Sequence, residues 1–78
     1  MLGSAGAEIR RGVVRGFDEG ERTATVELVG TVTTYVPGLP VATHVPSGDL
    51  VDGAKAVVIL FDCHNPADSV VVGVYGLE

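Results

Sequence analysis

The sequence contains a single cysteine, Cys63, and no tryptophan. One thiol cannot form a disulfide within the chain, so the fold has to be stabilised in another way. Aromatic residues make up only 5% of the chain, which is few for a protein that stacks nucleobases or sugars. Basic residues are also scarce, with five Lys and Arg against ten Asp and Glu and a net charge of −5. This balance argues against nucleic-acid binding, which depends on neutralising phosphates.

Long hydrophobic segments are absent as well. The longest uninterrupted apolar run is Ala56–Phe61, whereas a membrane-spanning helix needs about 20 apolar residues. The N-terminus does not show the charged and then apolar arrangement of a signal peptide. We therefore predict no membrane span and no secretion by a signal peptide. Residues 1–8 are predicted to be a flexible leader, and residues 9–78 a single domain.

What the chain does contain is a series of short Val- and Thr-rich runs separated by Gly, Pro and Asp clusters. This pattern is typical of small all-β proteins. It predicts an antiparallel barrel of five to six strands, OB-like or alternatively SH3-like. The predicted strands are Ile9–Phe17, Arg22–Val29, Thr31–Val36, Lys55–Asp62 and Ser69–Tyr75, with a short edge strand or extended segment at Pro40–Val45.

Two connections carry clear turn signals. Pro37-Gly38 is predicted to end the third strand, because this dipeptide is a strong turn former. The connection Ser47–Gly53 is too short for a proper helix and has room for one helical turn at most, around Asp49–Val51.

The last two predicted strands are apolar on both of their faces. A strand of this kind must be covered on both faces, and the interior of a barrel covers only one. Large exposed apolar patches are rare on monomers, so we expect another copy or a partner protein to cover the second face. The chain's own termini and loops are the alternative. The alternating sets are Val57, Ile59 and Phe61 against Ala56, Val58 and Leu60, and Val70, Val72 and Val74 against Val71 and Tyr75.

If assembly is the function, the functional residues are interface residues. The alternation does not say which set faces the interior of the barrel. The candidates are Val58, Leu60, Val71 and Tyr75 on the last two strands, and Leu39, Val41, His44 and Val45 on the proline-bounded edge segment.

Reactive side chains gather in one place, the segment Asp62–Asp68. A hydrolase would use Cys63 as nucleophile with His64 or His44 as base, but adjacent residues of an extended chain point in opposite directions. A structural zinc site would need four ligands at a recognisable spacing, which the sequence does not contain. The segment is better explained as an ordinary turn. We therefore predict no catalytic residue, no metal site and no cofactor.

The run Pro46–Asp62 followed by Asn65–Tyr75 resembles the barrel domain of phage tail spike and baseplate-hub proteins. It is also similar to the equivalent domain of type VI secretion spikes. The shared features are a proline, a Gly-Asp turn, a strand ending in Phe, an Asn-Pro loop and a Val-rich strand ending in Tyr. The opening Gly12–Asp18 and the run Thr23–Leu28 are similar to the first hairpin of these domains.

The resemblance implies an OB-type barrel, commonly trimeric, that acts without catalysis. Its partners would be further copies of itself and other phage-type structural proteins, in the virion or in the bacterial cytoplasm before assembly. No spike or lysozyme segment follows the barrel in the sequence and no long insertion separates its strands. We therefore expect an adaptor, collar or decoration protein rather than a membrane-piercing spike. Two alternatives remain open, namely an OB-type binding module for single-stranded nucleic acid or sugar, and an oligomeric shell or vertex protein of a bacterial microcompartment.

Overall fold

The computed structural model describes residues 7–30, 34–62 and 64–78. This part of the chain is all-β, as predicted, and its only helical piece is a 3-10 turn at Ser47–Asp49. That turn lies two residues before the predicted position. The strands are β1 (Glu8–Asp18), β2 (Thr23–Leu28), β3 (Thr34–Pro40), β4 (Ala54–Leu60) and β5 (Ser69–Leu77).

The five strands form one sheet in the order β3-β2-β1-β4-β5, and every neighbouring pair is antiparallel. The sheet is not closed into a barrel. Its two edges are joined by a single parallel bridge between Val41 and Val71, where the N–H of Ala42 donates to the Val71 carbonyl at 2.8 Å. The segment Pro40–Val45 therefore supplies a bridge and a turn rather than a sixth strand. The described structure is therefore a small all-β fold with one open sheet, and its five strands lie within the predicted five to six.

Pro37 and Gly38 do not end β3, contrary to the prediction. They stand together opposite the single residue Thr25 of β2, which makes them a β-bulge. Gly38 has a φ of +72°, a conformation that glycine adopts without steric cost. Pro37 is tolerated because β3 is an edge strand and needs hydrogen bonds on one side only. The strand continues to Pro40, while the predicted positions 31–33 lie outside the described residues.

One alternating set of side chains from each strand forms the core. In β4 the inward set is Ala56, Val58 and Leu60, which settles the question that the sequence left open. The complementary residues Val57 and Ile59 lie on the outer face and are half-buried. The buried apolar residues are Val14, Ala24, Val26, Leu28, Val36, Leu39, Val41, Val45, Leu50, Ala54, Ala56, Val58, Leu60 and Val71.

The β1–β2 hairpin holds the segment that follows β3. The Asp18 carboxylate accepts hydrogen bonds from the backbone N–H groups of residues 20 and 21, at 3.0 and 3.2 Å. Arg22 completes the turn with a φ of +54°. Its Nη2 donates to the carbonyl oxygens of Ala42 and Val45, at 2.9 and 2.8 Å. Arg22 therefore fastens the edge segment to the hairpin.

Candidate assembly surface

Six of the eight predicted interface residues lie in the core of the single chain. All six are at most 6% exposed. Side chains buried in this way have no surface left for a partner, so the prediction that they form an interface is wrong and they stabilise the fold instead. The six residues are Leu39, Val41, Val45, Val58, Leu60 and Val71.

The other two predicted residues, Tyr75 and His44, are exposed. The ring of Tyr75 lies beneath the ammonium group of Lys55, 5.3 Å from Nζ to the ring centroid. The Nε2 of His44 lies 2.9 Å from the carbonyl oxygen of Val72 and donates to it. His44 thereby supplements the bridge between the edge segment and β5, and part of its hydrogen-bonding capacity is already used within the chain.

The outer face of the sheet carries a row of apolar side chains at one end. Ile9 of β1 pairs with Ile59 of β4, and Ile59 pairs with Val70 of β5. Directly paired residues in a sheet point to the same face and contact one another. Ile9 is 71% exposed, and Phe61, which follows β4 in the same alternation, is 58% exposed. We call Ile9, Ile59, Phe61 and Val70 the outer patch.

A positive charge lies beside the outer patch. Arg11 pairs with Val57 of β4. It is two residues after Ile9 on β1 and therefore lies on the same face of the sheet. Its side chain is exposed, and it makes no ion pair with any residue that the structure describes. Arg11 is therefore available to a negatively charged partner.

The other end of the sheet contains a cluster of charges around Arg15. Its Nε lies 2.9 Å from Oε1 of Glu27, and its Nη1 lies 3.3 Å from Oδ1 of Asp52 and 2.6 Å from Oε1 of Glu78. The hydrogen bond to Glu27, followed by that to Glu78, raises the pKa of Arg15 above its already high ordinary value. Arg15 thus joins β2, the loop before β4 and the end of β5.

Next to this cluster the surface forms an open cavity of about 350 Å³, which we call the end groove. Its apolar residues are Val74, which packs against the core, and the exposed Val51 and Leu77. Asp49 is part of the lining and makes no ion pair with any described residue. The full lining is Gly48, Asp49, Val51, Val74, Gly76 and Leu77.

The segment with the reactive side chains is a hydrogen-bonded turn. Its backbone bonds run from the N–H of Asn65 to the carbonyl of Asp62 and from the N–H of Asp68 to that of Asn65, both at 2.9 Å. The Asp62 carboxylate accepts from the N–H of His64 at 2.9 Å. Cys63 lies outside the described residues. Within residues 7–30, 34–62 and 64–78, no three His, Cys, Asp or Glu side chains are grouped so as to hold a metal ion.

The outer patch is only partly predictable from the sequence. The alternation puts Ile59 and Phe61 in one set of β4 but gives no reason to prefer that set. Ile9 was missed, because only the pairing of β1 with β4 brings it beside Ile59. The end groove was missed as well, since its two walls come from segments about 25 residues apart.

No described segment forms a helix of the length and apolar character needed to cross a membrane. No family model, curated protein or solved structure matches the chain.

Proposed function

We propose that the protein is a non-enzymatic assembly module, a homo-oligomer that serves as an adaptor, collar or decoration protein of a phage-like particle. The observation that carries the proposal is the row formed by Ile9, Ile59 and Val70 on the outer face. Ile9 is 71% exposed in the single chain. Adjacent branched apolar side chains that remain accessible to water favour association with another apolar surface.

The energetics favour an assembly in which each subunit makes more than one contact. Burying a large apolar side chain gains about 1.5–3 kcal/mol relative to leaving it exposed. The exposed part of the outer patch, mainly Ile9 and Phe61, therefore contributes only a few kcal/mol. Association of two proteins costs about 4–15 kcal/mol in lost freedom of motion. One contact of this size is weak, whereas a ring gives every subunit two contacts and offsets the cost more fully.

The phage-like particle is proposed from the sequence resemblance. The run Pro46–Asp62 covers the 3-10 turn and β4, and Asn65–Tyr75 covers the following turn and most of β5. The two resembling runs therefore contain Ile59, Phe61 and Val70 of the outer patch and four of the six residues that line the end groove. In the family that it resembles, such domains are commonly trimers, so a trimer is the favoured stoichiometry.

The test is the mass of the particle in solution, measured by light scattering after size exclusion across a dilution series. We expect an oligomer for the unchanged chain and a monomer for Ile9→Asp, which places a charge in the outer patch. Tyr35→Lys is the matched control, because Tyr35 is also a large exposed side chain but lies on β3. A monomeric unchanged chain at micromolar concentration would rule out self-assembly as the function.

A further inference from the structure

We propose that the outer patch of one copy docks into the end groove of the next copy, so that the subunits associate head to tail. This inference rests on the self-association proposed above and specifies its geometry. The occupant of the groove is thus a second copy of this chain, contributing Ile9 and Phe61 as the apolar side chains and Arg11 as the charge.

The two surfaces lie at opposite ends of the sheet. Two positions on β4 mark these ends. Ile59 belongs to the outer patch, and Ala54 pairs with Leu77 at the end groove. They are five residues apart, which corresponds to about 17 Å along a strand. A chain cannot place its own Ile9 in its own groove across this distance without breaking the pairing of β1 with β4. The contact must therefore form between copies.

The groove and the patch are complementary in chemistry. The groove offers Val51 and Leu77, which are 46% and 65% exposed, in a cavity of about 350 Å³. The patch offers exposed side chains, Ile9 and Phe61, that can enter such a cavity. Each side therefore covers apolar surface that the single chain leaves in contact with water.

Each surface has charges of both signs nearby, since Lys55 lies beside Gly76 of the groove and Asp62 follows Phe61 of the patch. The charges that can complement each other across the contact are Asp49 and Arg11. Asp49 lies in the lining of the groove, and Asp52 and Glu78 directly follow two other lining residues. Arg15 contacts Asp52 and Glu78, which leaves Asp49 as the acidic group without an ion pair among the described residues. Arg11 is the matching unpaired cation beside the outer patch. Opposite potentials of this kind orient the partners and discriminate against other arrangements.

A symmetric contact of two outer patches fits these observations less well. It would bring the Arg11 side chains of both copies to the same interface, where like charges repel. It would also leave Val51 and Leu77 of the end groove of each copy uncovered. A head-to-tail contact is heterologous, so it produces a closed ring when the rotation between subunits closes, and a filament when it does not.

The decisive experiment mixes two variants, one blocked at each surface. Ile9→Asp blocks the outer patch and Leu77→Asp blocks the end groove, and both positions are exposed enough to leave the core intact. Far-UV circular dichroism confirms that each variant is folded. We expect each variant alone to be a monomer in light scattering. An equimolar mixture should give a complex of twice the monomer mass at the highest concentrations of a dilution series, because the intact patch of one variant still fits the intact groove of the other. This single contact is weaker than the two contacts per subunit of a ring, so the complex should dissociate on dilution sooner than the oligomer of the unchanged chain.

Three results would contradict the head-to-tail contact. If the unchanged chain is oligomeric but Leu77→Asp remains oligomeric too, the groove is not part of the interface. If both variants are monomers and their mixture gives no complex even at the highest concentration, the contact is not head to tail. In both cases the assembly function stands and only the geometry fails. If the unchanged chain is itself a monomer, the assembly function fails and the docking geometry with it.

A charge reversal tests the same contact independently. Arg11→Glu and Asp49→Lys should each weaken association by about tenfold, the effect of a contact pair of moderate strength. The double variant should recover most of the loss, because the two charges again have opposite signs across the interface. Losses that merely add in the double variant would show that Arg11 and Asp49 do not meet.

Discussion

Gly12 of β1 lies so close to Val26 of β2 that a Cβ atom on the glycine would overlap Cγ1 of the valine. The position is at the centre of the sheet, where Gly12 pairs with Leu28 on one side and with Ala56 on the other. The absence of a side chain allows β1 to pack closely against its neighbours.

We predict that Gly12→Ala lowers the free energy of unfolding by about 1–3 kcal/mol, since overpacking in a core forces neighbouring atoms to move. The measurement is urea unfolding followed by circular dichroism. Gly73→Ala is the matched control, because a Cβ at Gly73 would meet no atom within 4 Å. A surface substitution of that kind should change stability by no more than about 0.5 kcal/mol. Equal effects at the two glycines would mean that β1 and β2 are packed less closely than described.

Leu60→Asp should abolish folding. Leu60 is fully buried in the core, and an unpaired carboxylate in an apolar environment costs several kcal/mol, which approaches the whole stability of a small domain. The milder Leu60→Ala should cost about 2–5 kcal/mol. Far-UV circular dichroism and urea unfolding distinguish these cases. A Leu60→Asp protein that folds but has a reduced oligomeric mass would instead show that Leu60 is an interface residue.

Arg22→Ala should lower the free energy of unfolding by about 2 kcal/mol, because hydrogen bonds from a charged group contribute about 1.5–3 kcal/mol each and the shortened side chain exposes the site to water. The substitution leaves the carbonyls of Ala42 and Val45 without their donor. The edge segment should then open more easily, so the amide proton of Val45 should exchange faster with solvent. Glu21→Ala, an exposed change in the same turn, serves as the control. Unchanged exchange at Val45 would show that the bridge to β5 alone holds the segment.

The fold was predictable from local patterns, because strands of alternating apolar residues separated by turn formers leave few other solutions. The choice of inward face in β4 was not predictable. Its two alternating sets are both apolar, and only the pairing with β1 distinguishes Val58 from Ile59. The bulge at Pro37-Gly38 was mistaken for a strand end because the same dipeptide occurs both in turns and in bulges. The strand can contain a proline because it lies at an edge, and the position of a strand at an edge is a property of the whole sheet.

The contacts of the arginines were unpredictable for a related reason. Arg22 reaches carbonyls 20 and 23 residues away, and Arg15 reaches a carboxylate 37 residues away. A sequence pattern shows that an arginine is present but not which distant group it meets. The surface residues that carry the proposed assembly share this property, since Ile9 becomes part of an apolar row only through Ile59 and Val70.

Arg15→Gln should lower the urea midpoint of unfolding. The substitution removes the cation that holds Glu27, Asp52 and Glu78 together and leaves three carboxylates close to one another. Arg15→Lys should give an intermediate midpoint, because an ammonium keeps the charge but lacks the planar group that contacts several carboxylates at once. A lysine variant as stable as the unchanged chain would show that the charge alone matters and the geometry does not.

Salt and pH distinguish the electrostatic contribution of Arg15 from simple packing. The Debye length falls to about 3 Å at 1 M salt. The difference in urea midpoint between the unchanged chain and Arg15→Gln should therefore become smaller at that salt concentration. The pKa of Arg15 is raised in the folded state, so its contribution to stability is complete at every pH below the ordinary arginine pKa of the unfolded chain. It would be lost only as the pH rises through the still higher folded value. Between pH 6 and 10 the protonation of Arg15 therefore does not change, and the difference in urea midpoint between the two proteins should be constant. A difference that is insensitive to salt would assign the effect to the packing of the arginine side chain instead.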